Sequence, residues 1–138
     1  MSEERVTEVF PLLYSDDVAA LADWAIRTLE FSESWRAPGP DGLIEHAELL
    51  GFGGKISVNI RHDPTVPRAQ AGIGLRIDDS GEVERLYAVA KAAGAEIVNP
   101  LATSRVSFSF TVRDIDGNEW WVHAETGFLD QLRGDGNR

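Results

Sequence analysis

Apolar residues recur along this chain with two periods, and the switches between them mark out its elements. Residues 5–14, RVTEVFPLLY, read as an extended run, and SDD at 15–17 supplies capping side chains for a helix. Val18, Leu21, Ala22, Ala25 and Leu29 follow at helical spacing, which predicts a helix with one stripe to lay on a sheet. Trp24 falls off that stripe, where it suits the helix margin or a contact with another subunit. EFSESWRAPGPDG, residues 30–42, interrupts the pattern with Pro and Gly; LIEHAELLGF and KISVNI then follow around a Gly-Gly turn. Alternation puts Ile56, Val58 and Ile60 on one face and Ser57 and Asn59 on the other. The first half therefore reads as strand, helix and three strands, and RHDPTVPRAQ at 61–70 reads as a connector.

The same order returns. AGIGLRI is a strand, DDSGE places Glu82 three residues after Asp79 as in a capping box, and Val83, Leu86, Tyr87 and Ala90 form a second helical stripe ending at Gly94. AEIVNP, RVSFSFTVRD and EWWVHAE supply three more strands, the last two joined by the turn sequence IDGN. LLYSDD answers GLRIDD, and GGKISVNI answers DGNEWWVHAE, so the halves form an internal repeat. The expected fold class is α+β: one domain over 1–138, with a βαβββ module at 5–61, a connector at 62–70, a second module at 71–125 and a C-terminal tail at 126–138. Each four-stranded half covers one face with its helix and leaves the other to curl round a cavity or meet a partner. Trp120 and Val122 then go under the helix. Trp121, His123 and Glu125 face the cavity, as do Ser57 and Asn59.

Composition narrows the function classes. Thirteen Lys and Arg stand against 23 Asp and Glu, a formal charge of −10, and the basic residues are scattered, so a nucleic-acid footprint is missing. The chain has no cysteine, which excludes disulfides, thiolate nucleophiles and Cys-ligated zinc. No apolar run reaches membrane-spanning length and the N-terminus MSEERVTE is acidic and polar, so a soluble cytoplasmic protein with no membrane partner is expected. The acidity suits ordinary solubility, and it also creates a field that favours cationic ligands.

Candidate chemistry gathers around a repeated tripeptide, HAE, at 46–48 and 123–125. In a strand each copy sets a histidine and a carboxylate on one face. His46, Glu48, His123 and Glu125 are all metal-competent, but they fall on strands that the repeat does not relate, and they read more readily as cross-strand polar contacts or solvated strand residues. His123, two residues beyond Trp121, is the candidate catalytic residue, able to hydrogen-bond a ligand or act as a general base. Trp35 and Trp121 raise the prospect of an aromatic clamp on which a planar or cationic ligand stacks. No phosphate loop, dinucleotide fingerprint or Ser-His-Asp constellation is legible.

From about Val6 to Glu125, and most sharply in YSDDVAALADWAIRTLEF and VRDIDGNEWWVHAE, the chain resembles the vicinal-oxygen-chelate superfamily of glyoxalase I, extradiol dioxygenases and bleomycin-resistance proteins. GLIEHAELLGFGGKISVNI is similar to its PhnB-like or bleomycin-resistance-like branch. The resemblance implies the glyoxalase/bleomycin-resistance fold, two βαβββ modules forming a curved mixed sheet around a cavity, and pairing of modules in a homodimer. Its enzymes hold a divalent metal at four strand positions, which fall here at Val9, Ser57, Gly72 and Trp121. Valine, glycine and indole offer a borderline cation nothing. The reading that follows is a metal-free, cofactor-free small-molecule binding protein, with a cup lined by Ser57, Asn59, Trp121 and His123 and extended by Trp35, His46, Glu48 and Glu125. Two alternatives stay open: a metal-dependent lyase, isomerase or dioxygenase whose displaced site uses the two HAE pairs, and an accessory module with a filled cavity.

Overall fold

A computed structural model describes residues 7–63, 65 and 70–134. Arg5 and Val6 of the first predicted strand, Pro64 and 66–69 of the connector, and 135–138 of the tail lie outside the described residues. The elements run β1 (Leu12–Ser15), α1 (Val18–Leu29), β2 (Ser32–Pro38), β3 (Ile44–Gly51), β4 (Gly54–Ile60), β5 (Gly72–Arg76), α2 (Ser80–Ala92), β6 (Glu96–Thr103), β7 (Ser107–Arg113), β8 (Glu119–Glu125) and α3 (Phe128–Arg133). They form two four-stranded sheets of the same topology, β1-β4-β3-β2 and β5-β8-β7-β6. In each, the first and fourth strands of the module pair in parallel and the rest are antiparallel. No helix among the described residues is long and apolar enough to cross a membrane.

Local chemistry sets the boundaries. Asp17 caps α1 by accepting from Ala20 N at 3.0 Å, and Asp79 caps α2 by accepting from Gly81 N at 2.9 Å. The predicted capping box is only half formed, because Glu82 turns to Arg85 instead. The first strand is shorter than the expected 5–14: Pro11 has no N–H to donate, and pairing begins where its carbonyl accepts from Ser57 N. One strand, β2, lies inside the segment that Pro and Gly interrupt, as a sheet edge with register shifts on both sides of Trp35–Ala37.

Ile56 and Val58 are buried towards α1, and Trp120 and Val122 are buried in the second module. The helical stripes of Val18, Leu21, Ala22, Ala25 and Leu29, and of Val83, Leu86 and Ala90, are buried as well. Trp24 is buried although it lies off the first stripe, because α1 packs on two surfaces. Its indole lies 5.7 Å from Trp120, and Phe31 meets the same Trp120 ring edge-on at 5.6 Å. The modules therefore share one core with Trp120 at its centre.

Trp120 is held by the turn before it. The buried Asp114 carboxylate accepts from Asp116 N, Asn118 N and Asn118 Nδ2, each at 2.9 Å, and from Trp120 Nε1 at 2.8 Å. Asn118 Oδ1 in turn accepts from Ala71 N at 2.9 Å, which ties the start of β5 to the same turn. Removing one acceptor for four donors, several of them buried, is costly. Asp114→Ala is expected to lower the unfolding free energy by about 3 kcal/mol or more in urea denaturation. Ile115→Ala, an exposed change in the same turn, should move it by less than about 0.5 kcal/mol.

Candidate functional site

Strand register decides which side chains share the faces that the helices leave open. On the first sheet His46 is opposite Asn59 and Glu48 is opposite Ser57, with Trp35 next to Glu48 and Leu12 next to Ser57. All six therefore stand on one face. His46 Nδ1 lies 3.0 Å from Asn59 Oδ1, and Asn59 Nδ2 donates to Ser57 Oγ at 3.2 Å. Glu48 accepts from the Ser34 hydroxyl and pairs with Lys55 at 3.4 Å. That hydroxyl, with Lys55 behind it, holds the Glu48 carboxyl below the usual carboxylate range. Leu12, Trp35 and Leu50 remain 51, 47 and 40% exposed on this face.

The open face of the second sheet carries Trp121, His123 and Glu125 on β8. Across β7 they meet Thr111, Ser109 and Ser107 in step, and across β5 Trp121 meets Gly74 and His123 meets Arg76. The Trp121 and His123 rings stack at 3.7 Å between centroids and 14° between planes. His123 is 9% exposed, and its buried Nδ1 makes no hydrogen bond of ordinary geometry. Burial pushes the imidazole below its ordinary pKa, against the opposing pull of the Trp121 backbone and the Glu125 carboxylate. Arg133 of α3 grips Glu125 with two hydrogen bonds of 2.9 Å, which depresses that carboxyl.

The two HAE pairs thus lie on separate sheets, each engaged locally, and among the described residues no three His, Asp or Glu side chains gather where they could hold a metal. Of the four positions inferred for a family metal, Ser57 and Trp121 stand on the open faces, with Leu12 and Gly74 as their neighbours on the parallel strands. Valine, serine, glycine and indole do not fit a borderline cation. Sequence reasoning missed the hydroxyl row Ser107, Ser109 and Thr111, although its spacing of two along SFSFT is a plain strand signal.

The model of the Glyoxalase/Bleomycin resistance protein/Dioxygenase superfamily matches residues 7–122. The chain belongs to that superfamily. Among solved structures it is similar to TioX from Micromonospora sp. ML1, with 24% identity over 88% of this chain and 100% of that one and a TM-score of 0.76. It is also similar to TnmS3, an antibiotic binding protein from Streptomyces sp. CB03234, with 19% identity, 90% and 100% coverage and a TM-score of 0.68. A glyoxalase/bleomycin resistance protein/dioxygenase from Nocardioides shows 19% identity, 90% and 86% coverage and a TM-score of 0.66. At these identities the likeness establishes the fold, and the fold hosts many functions. No curated protein matched the chain.

The buried imidazole makes stability pH-dependent. The folded state keeps His123 neutral below its ordinary value of 6.5, so the unfolded chain binds that proton first as pH falls. The stability it contributes is complete above about pH 6.5 and is lost as pH falls through the lower folded value. Urea midpoints measured between pH 8 and 5 should fall in the native protein and fall less in His123→Gln; equal slopes would contradict this assignment.

Proposed function

We propose that this chain is a metal-free small-molecule binding protein, sequestering a cationic or planar compound on the open sheet faces. The observation that carries the proposal is Trp121: a 39% exposed indole fixed by the His123 ring, at a position that the resemblance assigns to a metal ligand of the family's enzymes. A rigid indole offers stacking area at little further cost in conformational entropy, and its face attracts cations. The charge of −10 acts in the same direction over longer range. The fold is shared with TnmS3, itself an antibiotic binding protein.

The proposed ligand-contacting set is Trp121, His123, Ser57 and Asn59, with Trp35, His46, Glu48 and Glu125 around them. A second copy would cover Leu12, Trp35 and Leu50, whose exposure on one face is unusual for a lone chain, and would complete the cup as a homodimer. Acridine orange, a flat cationic dye, is a suitable first ligand. Its binding, followed by dye anisotropy, should weaken at least tenfold in Trp121→Ala while the far-ultraviolet circular dichroism stays native. Unchanged affinity would remove the stacking role.

A further inference from the structure

Two glycines interrupt the open face of β5 where the fold has no need of them. Gly72 and Gly74 alternate with buried Ile73 and Leu75 and are exposed on the same face as Trp121. Their pairing with β8 runs in step without a bulge, and neither adopts a positive φ. A Cβ at Gly72 would meet nothing within 4 Å, and one at Gly74 would make ordinary contact with Trp121 at 3.9 Å. The first module shows that the position accepts bulk: Leu12 beside Ser57 stands where the repeat puts Gly74 beside Trp121. Glycine within a strand weakens it, and where neither a bulge nor a bend explains it, it marks a place where something approaches the backbone closely.

The surroundings say what approaches. His123 covers one face of the Trp121 indole, two residues further along the strand, so the other face is turned towards the Glu119 end. There Gly72 is the cross-strand neighbour of Glu119 and lines a concavity of about 510 Å³ with Arg113 and Glu119, which pair at 2.9 Å. Gly74 lines a second concavity, of about 390 Å³, with Lys55, Phe52 and Arg76. Trp121 lines neither concavity; each reaches one of the glycines beside it, and volumes of this size suit a small molecule. The bare strip between the two glycines is about 6.6 Å long, roughly the width of two fused rings.

We propose that Gly72 and Gly74 form a slot that admits a flat, fused-ring ligand, its face on the free side of the Trp121 indole and its edge on the bare β5 backbone. The slot deepens the binding reading above and rests on it. It makes the two glycines the residues that select for planarity, since any side chain there fills the space the ring needs.

Acridine orange binding is measured for the native protein and for Gly72→Val, Gly74→Val and Trp121→Ala, with thermal unfolding and sedimentation of each. Both valine variants should bind at least tenfold more weakly while unfolding at the same or a higher temperature, because valine suits a strand better than glycine. Affinity within twofold of native in both, with binding still lost in Trp121→Ala, overturns the slot and leaves the binding reading standing. Failure of the native protein to bind, or binding indifferent to Trp121→Ala, defeats the binding reading and the slot with it. A native dimer that becomes a monomer in the valine variants assigns the glycines to a second copy's backbone and also overturns the slot. Should a valine variant not fold, the alanine variants, one methyl each, carry the same contrast: a graded loss of affinity supports the slot, and native affinity overturns it.

Discussion

One buried carboxylate organises much of this molecule. Asp114 gathers two backbone amides, the Asn118 side chain and the Trp120 indole N–H. A carboxylate away from water is tolerable only with such a set of donors around it. The consequences spread outward in both directions. Asn118 fixes the start of β5, and Trp120, held at its polar end, presents its ring to Trp24 and Phe31 of the other module. The turn that joins β7 to β8 thereby sets the seam between the two halves and, one residue on, aims Trp121 at the opposite face.

The repeat supplies symmetry of backbone, and function follows from where the side chains break it. Both sheets have the same strand order, with one face given to a helix and the other left open. On the first sheet that face carries a connected polar set, His46, Asn59 and Ser57, beside exposed leucine and tryptophan. The second carries a stacked Trp–His pair beside a row of hydroxyls, of which Ser107 and Thr111 are buried, and a strip without side chains. Neither set resembles a cage for a divalent ion. Both resemble surfaces that hold an organic molecule by area and by hydrogen bonds.

The two helices and their buried stripes, the βαβββ repeat, and the division of Ile56 and Val58 from Ser57 and Asn59 were legible in the sequence, because period and capping are local signals. What was not legible depends on neighbours. Trp24 reads as marginal on a single helix and is buried because α1 also touches the second module. The β2 strand is an edge with irregular register, so alternation is weak there. The strand partners of Ser57 and Trp121, Leu12 and Gly74, come from pairing, which spacing along the chain does not carry. The Trp–His stack and the engagement of Glu125 by Arg133 needed three-dimensional proximity that spacing does not carry.

We propose that an aromatic and polar surface serves here in place of the metal centre of the superfamily's enzymes. Elemental analysis of the purified protein, before and after incubation with zinc, nickel, manganese and iron, tests it most directly. No metal should be retained near stoichiometry in either state. Close to one metal per chain, lost when His123 and Glu125 are changed, would contradict it and make the HAE residues ligands after all.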